Sequence, residues 1–189
     1  MKDLPSNIQY FHIIGNKDKC KNEDIHIDFE EHIIYSNTLD DYNSLPSKVI
    51  TTLAGINNKF NFKYIFKTDD DQQLVKKNFF LQFPKLLETK SIQKKKSHYG
   101  GFTLNCEKHI STYYKVHDCL PRDLLLEKTI YANGRFYFLS KESVEHLILK
   151  KELIEHHYIE DHAIGLYLDH NFKENMFHFD SKKIFYDNT

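Results

Sequence analysis

The 189-residue chain has no tryptophan, and its cysteines form no recognisable pair. Cys20, Cys106 and Cys119 are odd in number and have no CxxC spacing, which predicts free thiols of a reducing compartment rather than a disulfide framework or a zinc site. The start of the sequence, Met1–Asn7, carries no apolar signal region, and no later stretch is long enough to cross a bilayer. We therefore expect a soluble, intracellular protein with no transmembrane segment.

An excess of charge of one sign is also absent. Lysines and arginines number 26 against 27 aspartates and glutamates, so a broad basic face for nucleic acid is not expected. The basic run Lys94–Lys96 is short and is typical of a solvated loop. Six glycines and four prolines mark no linker, and no repeat is visible, so residues 1–189 are expected to form a single domain with a sizeable core.

Aromatic and aliphatic residues are plentiful, with 15 Phe and 12 Tyr, and they fall into alternating segments. Runs of strand length are Ile8–Ile14, Ile33–Tyr35, Phe62–Phe66 and Phe136–Leu139. Segments with helical spacing or helix-start signals are Leu45–Asn57, Phe79–Leu87, the stretch capped by Ser140, and Ala163–Leu168. Strands that alternate with helices predict an α/β fold with a mainly parallel central sheet flanked by helices.

Three adjacent carboxylates, Asp69, Asp70 and Asp71, follow the predicted strand Phe62–Phe66. Adjacent like charges repel one another, and carboxylate oxygens suit Mg²⁺ and Mn²⁺. Ligands of open α/β sheets bind beyond the carboxyl ends of strands, which is where this run falls. The alternative is an acidic helix start, because the segment that begins at Gln72 can be read as helical.

Two further segments carry charged or turn-forming residues. Asp40 and Asp41 precede a predicted helix on which Lys48 falls near the first turn, so they either line a phosphate site or simply cap the helix. Asn133 and Gly134 are a strong turn signal, and the glycine can let backbone approach a ligand closely.

The last two candidates lie in the C-terminal third of the sequence. Glu160 and Asp161 open a helical segment, where the helix dipole stabilises acids and where a carboxylate can also serve as a general base. His178 lies between aromatic residues, which is more typical of a packed side chain than of a ligand.

Taken in order, these segments resemble the inverting β1,3-glycosyltransferases of the galactosyltransferase/Fringe group, glycosyltransferase family 31, which have a GT-A fold. Asp40–Lys48 resembles the motif DxYxNLxxK, and Lys67–Asp71 resembles KTDDD. Tyr131–Ser140 resembles YPPYxxGxGYVLS, and Glu160–Gly165 resembles EDVxxG. The resemblance implies a single Rossmann-like GT-A domain that transfers a sugar from a nucleotide sugar, expected to be a UDP-sugar, to a hydroxyl of a glycan or glycoconjugate acceptor.

The resemblance also implies roles for individual residues. Asp71 would bind Mn²⁺ (or Mg²⁺) that bridges the diphosphate of the sugar donor, with Asp69 and His178 as further metal ligands. Asp161 would be the general base, and Glu160 is the less favoured choice. The pocket for the sugar donor would be lined by Asp40, Asp41, Tyr42, Lys48, Lys67, Asp69, Asp70 and Gly134.

Several positions depart from the family pattern. Gln72 and Gln73 replace the hydrophobic continuation after the acids, and His162 replaces the valine after Glu160–Asp161. Tryptophans, which the family commonly uses near the acceptor, are missing, and we expect no Golgi anchor or stem. The sugar and the acceptor therefore do not carry over, and the Lys/Asn/Tyr-rich composition suits a large DNA virus or an AT-rich bacterium.

Two alternatives remain open at this point. An acidic cluster on an α/β sheet also serves metal-dependent nucleotidyltransferases, although no GxxxxGK[ST] phosphate loop is present. A non-catalytic module that binds nucleotide sugars or glycans would keep the sugar-donor site without turnover.

Overall fold

The computed structural model describes residues 4–93, 96–180 and 183–187, so two lysines of the basic run and the first three residues lie outside it. The strands are β1 (His12–Gly15), β2 (Ile25–Asp28), β3 (Ile33–Ser36), β4 (Tyr64–Thr68), β5 (Gln72–Leu74), β6 (Tyr99–Cys106), β7 (His109–Ile110), β8 (Leu125–Leu126), β9 (Thr129–Ser140), β10 (Phe177–His178) and β11 (Phe185–Asp187). The helices are α1 (Lys17–Cys20), α2 (Leu45–Lys59), α3 (Phe79–Ile92), α4 (Lys141–Ile148), α5 (Lys151–Glu155), α6 (Glu160–Tyr167) and α7 (His170–Lys173), and Tyr113–Lys115 forms a 3-10 turn.

Most strands belong to two sheets of mixed direction. One has the order β1-β3-β2 and the other the order β10-β6-β9-β4, while β11-β5 and β7-β8 form small ribbons. Pairing is parallel in β1-β3 and β10-β6 and antiparallel in the other pairs of these sheets. The predicted α/β class is confirmed, but the prediction of a mainly parallel sheet is wrong. The physical reason is that residues 107–128 lead from β6 to β9 through short strands and a 3-10 turn, without a crossover helix, so the chain returns antiparallel.

The aromatic run of β9 is buried on both faces of the four-stranded sheet. Successive side chains of a strand point to opposite faces, so Phe136 and Phe138 pack on one side while Tyr137 and Leu139 pack on the other. The first side is covered by α3, and the second by α2, α4 and α6. This double burial explains why the run is continuously hydrophobic rather than alternating.

The strand β4 obeys the same alternation, and this places a charged side chain in the interior. Tyr64 and Phe66 pack with the cluster under α3, whereas Ile65 packs with the cluster under α2 and α6. Lys67 therefore points to the same face as Ile65, toward the start of α6. A lysine on this face needs anionic partners, because burial of an unpaired charge is costly.

The N-terminal signal of α4 is confirmed, whereas the alternative of a helix that starts at the acidic run is wrong. The Ser140 hydroxyl caps α4 by accepting the Ser143 N–H at 3.3 Å. After Asp71 the chain forms β5, because Gln72–Leu74 pairs with β11, and α3 begins only at Phe79.

The predicted turn at Asn133-Gly134 is instead a bulge inside β9. Gly101 of β6 pairs with Tyr137, but Thr103 pairs with Ala132, so one residue of β6 faces four residues of β9. The strand continues through the irregularity from Thr129 to Ser140. Since the extra residues leave the ladder with β6, their backbone groups can bond to other elements.

No helix in the described ranges is both long enough and apolar enough to span a membrane.

The contact between α6 and β9 sets the position of the α6 start. A side chain added at Gly165 would place its Cβ 2.2 Å from the Cβ and 2.8 Å from the Cα of Tyr131. We expect Gly165→Ala to lower the free energy of unfolding by about 1–3 kcal/mol, because backbone must shift to admit the methyl group. Urea denaturation measures the change.

Gly134→Ala is the matched control. The nearest atom to an added Cβ there is Asp161 Oδ2 at 3.4 Å, and the glycine has no positive φ. Its unfolding midpoint should therefore stay close to that of the parent. If both variants lose the same free energy of unfolding, the close approach of α6 to β9 does not explain why a glycine is needed at position 165.

Candidate active site

One long cleft, of about 2430 Å³, brings most of the predicted site residues together. It runs past the end of β4, the bulge of β9 and the starts of α2 and α6. The predicted residues that line it are Tyr42, Lys48, Lys67, Asp69, Asp70, Asp71, Gly134, Glu160 and Asp161. The other predicted residues, Asp40, Asp41 and His178, do not line it.

The three acids that follow β4 differ in their surroundings. The Asp69 carboxylate forms an ion pair with Lys67 at 2.5 Å, and its backbone N–H donates to Arg135 O in the bulge at 3.4 Å. Asp70 and Asp71 are exposed, and Asp71 Oδ1 accepts a hydrogen bond from Gln72 Nε2 at 2.8 Å. The exposed pair therefore presents carboxylate oxygens to the cleft, while Asp69 is engaged by the protein.

Lys67 is the largely buried cation at the centre of the site. Its ammonium group donates to Asp69 and to Gly134 O at 2.9 Å, and it lies 3.6 Å from Glu160 Oε2. Burial lowers the pKa of Lys67, but the charges of Glu160 and Asp69 outweigh burial, so the net shift is upward. Lys67 therefore stays charged, and its ammonium group faces Asp69, Gly134 O and Glu160.

Glu160, in the first turn of α6, is buried with 4% of its surface exposed. The Tyr137 hydroxyl donates to Glu160 Oε1, and Lys67 faces Oε2. Burial raises the pKa of Glu160, and the charge of Lys67 opposes this. With both oxygens facing protein groups, Glu160 is poorly placed to reach a substrate.

Asp161 lines the cleft and is held by two backbone groups. Its Oδ2 accepts the Gly134 N–H at 2.7 Å, and its Oδ1 accepts the His162 N–H at 2.7 Å. A carboxylate has about four lone-pair sites, so each oxygen can accept a further proton donor. Burial raises the pKa of Asp161, against the opposing effects of the Gly134 N–H and Lys67. A raised pKa makes a carboxylate a stronger base at neutral pH.

The residues before α2 mainly fix local structure. Asp40 forms an ion pair with Lys48 at 2.7 Å and accepts the Gly15 N–H at 3.1 Å, which ties the end of β1 to α2. The hydrogen bond from Lys48 is the main cause that lowers the pKa of Asp40. Asp41 Oδ1 accepts the Ser44 N–H at 2.8 Å. Of this group, Lys48 is the charged residue that lines the cleft.

An aromatic cluster borders the cleft around Tyr42, and two of its members, Tyr113 and His117, are not among the predicted site residues. The Tyr42 and His117 rings stack with centroids 3.9 Å apart, and the Tyr113 ring lies 5.2 Å from His117. Tyr131 also lines the cleft, and burial raises its pKa to about 12, with the Asp161 charge as a further cause. The segment 107–128 carries no motif, so only its position in the fold reveals Tyr113 and His117.

The donor chemistry of Asp70 and Asp71 fits a hard divalent ion, although the described residues include no group of three or more His, Cys, Asp or Glu side chains arranged around one point. Such a ready-made cage is not required, since Mg²⁺ is commonly held by one or two carboxylates plus substrate phosphates. His178 is not beside the acids. It lies on β10, at the opposite edge of the sheet from β4, and its Nδ1 accepts the Thr103 N–H at 3.2 Å.

Removal of the Lys67 charge should expose its role in the buried cluster. We expect Lys67→Met to lower the free energy of unfolding by about 3–5 kcal/mol near neutral pH, because Glu160 then keeps a buried charge without its cation. The pKa of Glu160, already raised by burial, should rise further. A carboxyl whose folded-state pKa is raised destabilises the fold as pH rises, so the loss should grow between about pH 5 and 8. Urea denaturation across this range measures it.

The double variant Lys67→Met/Glu160→Gln is the control, because it removes both charges of the pair. It should recover most of the stability and lose the pH dependence. A loss that is the same in single and double variants would mean that Lys67 does not compensate Glu160.

Comparison with known proteins adds two findings. The family profile described as galactosyltransferase matches residues 2–172, a range that ends before His178. UDP-GalNAc:beta-1,3-N-acetylgalactosaminyltransferase 2 of Xenopus laevis is 23% identical over 138 residues, which are 73% of this chain and 27% of that protein. The chain thus aligns with about a quarter of the length of that relative.

Proposed function

The chain belongs to the galactosyltransferase family, and from that premise we propose that it transfers a sugar from a nucleotide sugar, of the UDP type, to a hydroxyl of a glycan or glycoconjugate acceptor. We infer an inverting, metal-dependent reaction. The observation that carries the proposal is the arrangement of Asp161, which lies in the same cleft as the exposed Asp70 and Asp71 and is held by the Gly134 and His162 N–H groups.

Asp161 is the proposed general base. The acceptor hydroxyl attacks the anomeric carbon of the sugar, and its proton passes to an Asp161 oxygen. The bond between the anomeric carbon and the diphosphate oxygen breaks, and the nucleoside diphosphate leaves with the electron pair. A single displacement of this kind inverts the anomeric centre. Support comes from the direction of the pKa shift of Asp161, since a base with a raised pKa accepts a proton more readily.

Asp71, with Asp70 beside it, is the proposed holder of Mn²⁺ or Mg²⁺. When bound, the ion supplies positive charge against the diphosphate. Asp69 is assigned to Lys67 rather than to the ion, because the two already form an ion pair. A role for His178 as a further ligand stays a prediction from the resemblance.

The lining of the cleft suggests where each substrate binds. Lys48 lies in the first turn of α2, near the ends of β1 and β3, and we assign this side to the nucleotide. Tyr42 precedes this helix, and because its ring stacks on His117 we place it at the boundary with the acceptor side. Tyr113, His117 and Tyr131 are assigned to the acceptor, because aromatic faces can pack against the apolar face of a sugar ring. In this assignment the β1-β3-β2 sheet and the β4 edge form the nucleotide-binding half of a GT-A domain.

Binding of the leaving nucleotide provides the first test. We expect calorimetry to show UDP binding with Mn²⁺ that is lost with EDTA, and little binding of GDP or CMP. Asp71→Ala should abolish the metal-supported binding, because it removes the exposed carboxylate. Asp18→Ala, which changes an exposed acid in α1, is the matched control and should bind as the parent does. Absence of UDP binding under both conditions would contradict the proposal.

Turnover provides the second test. Asp161→Asn should lower kcat by about 10²-fold or more, because the amide cannot take up the proton, while UDP binding stays within about twofold. The kcat/KM of the parent should rise with pH with a midpoint above the ordinary aspartate value of about 3.9, since burial raises the pKa of Asp161. Full turnover in Asp161→Asn would remove this residue from the base role, and UDP binding without turnover in the parent would indicate a binding module.

A further inference from the structure

We propose that Tyr137 is a positioning residue for the base, and that its hydroxyl fixes Asp161 through Glu160, Lys67 and the backbone of Gly134. The inference rests on the proposed function, because it assigns a cause to the placement of the proposed base. Tyr137 is 1% exposed, so it does not act on a substrate directly.

The first observation is that both backbone groups of Gly134 are held by charged side chains. Its carbonyl accepts from the Lys67 ammonium at 2.9 Å, and its N–H donates to Asp161 Oδ2 at 2.7 Å. Gly134 lies in the bulge of β9, where the extra residues have left the ladder with β6. The bulge is therefore held at Gly134 by side chains, and the next carbonyl, of Arg135, accepts the Asp69 N–H at 3.4 Å.

The second observation is that these contacts close into a ring. Lys67 lies 3.6 Å from Glu160, and Glu160 immediately precedes Asp161 on α6. A displacement of Lys67 would move the Gly134 carbonyl, and with it the N–H that holds Asp161. The ring thus passes a small change at Glu160 on to the proposed base.

The third observation identifies what holds Glu160. The Tyr137 hydroxyl donates to Oε1, and the lysine faces the other carboxylate oxygen. Tyr137 is directly opposite Lys67 in the β4-β9 register, and the lysine ammonium lies 5.7 Å from the centre of the tyrosine ring. Without the hydroxyl, Oε1 loses this donor inside the protein, and the carboxylate is free to rotate or to take up a proton.

The Tyr137→Phe variant removes this hydroxyl and keeps the ring. We expect kcat to fall about tenfold with the KM values of both substrates and the UDP affinity within about twofold, because small misplacement of a catalytic group lowers turnover rather than binding. Tyr167→Phe is the control, since its hydroxyl contacts His157 at 2.8 Å, away from the bulge, and its kcat should match the parent.

A double variant separates positioning from a general loss of structure. In the Asp161→Asn background there is no base left to position, so the further change Tyr137→Phe should lower kcat by less than about twofold. An equal tenfold loss in both backgrounds would overturn the proposal, and so would an unchanged kcat in the single Tyr137→Phe variant.

Hydrogen exchange tests the same ring without any turnover. The Gly134 amide should exchange about tenfold faster or more in Tyr137→Phe than in the parent, while Tyr167→Phe leaves it unchanged. If the parent transfers no sugar but the Gly134 amide exchanges faster in Tyr137→Phe, the proposed function is wrong, while the structural link from Tyr137 to Gly134 is supported. If the parent transfers sugar and the Gly134 amide is unaffected, the role of Tyr137 is refuted.

Discussion

The site depends on the ion pairs of Lys67, a largely buried cation. Lys67 is carried inward by the alternation of β4, and its charge is compensated by Asp69, by the carbonyl of Gly134 and by Glu160. A buried charge is tolerated only when its partners are accurately placed. This requirement fixes the end of β4, the bulge of β9 and the first turn of α6 relative to one another, and these are the elements that present the remaining acids to the cleft.

The acids that contact Lys67 most closely differ from the acids that face the cleft. Asp69 and Glu160 are used by the protein itself, whereas Asp70, Asp71 and Asp161 face the cleft with unused oxygen lone pairs. Neighbouring acids in each of the two segments therefore differ in what they contact. The inner acids hold the lysine, and the outer acids present carboxylate oxygens to the cleft.

Local signals predicted the elements that have strong local causes. The cap at Ser140, the acids at the start of α6 and the position of the acidic run beyond a strand were all readable in the sequence. Structure that depends on pairing with distant segments was not predictable in this way. Gln72–Leu74 became a strand because β11 pairs with it, and Asn133-Gly134 became part of a bulge because β6 pairs with β9 before and after these residues. Tyr137 falls within the motif at Tyr131–Ser140, but a strand buried on both faces gives its hydroxyl no signal that separates it from the core aromatics.

The sequence separation within the ring has a consequence for the order of assembly. Lys67 meets Gly134 across 67 positions, and Glu160 comes later still. During synthesis from the N-terminus, Asp69 follows the lysine after one residue, whereas Gly134 and Glu160 are made long afterwards. Contacts of such long range form slowly and late. The acidic run and the lysine should stay hydrated until α6 docks on β9, so that the arrangement of acids in the cleft forms only when this docking occurs.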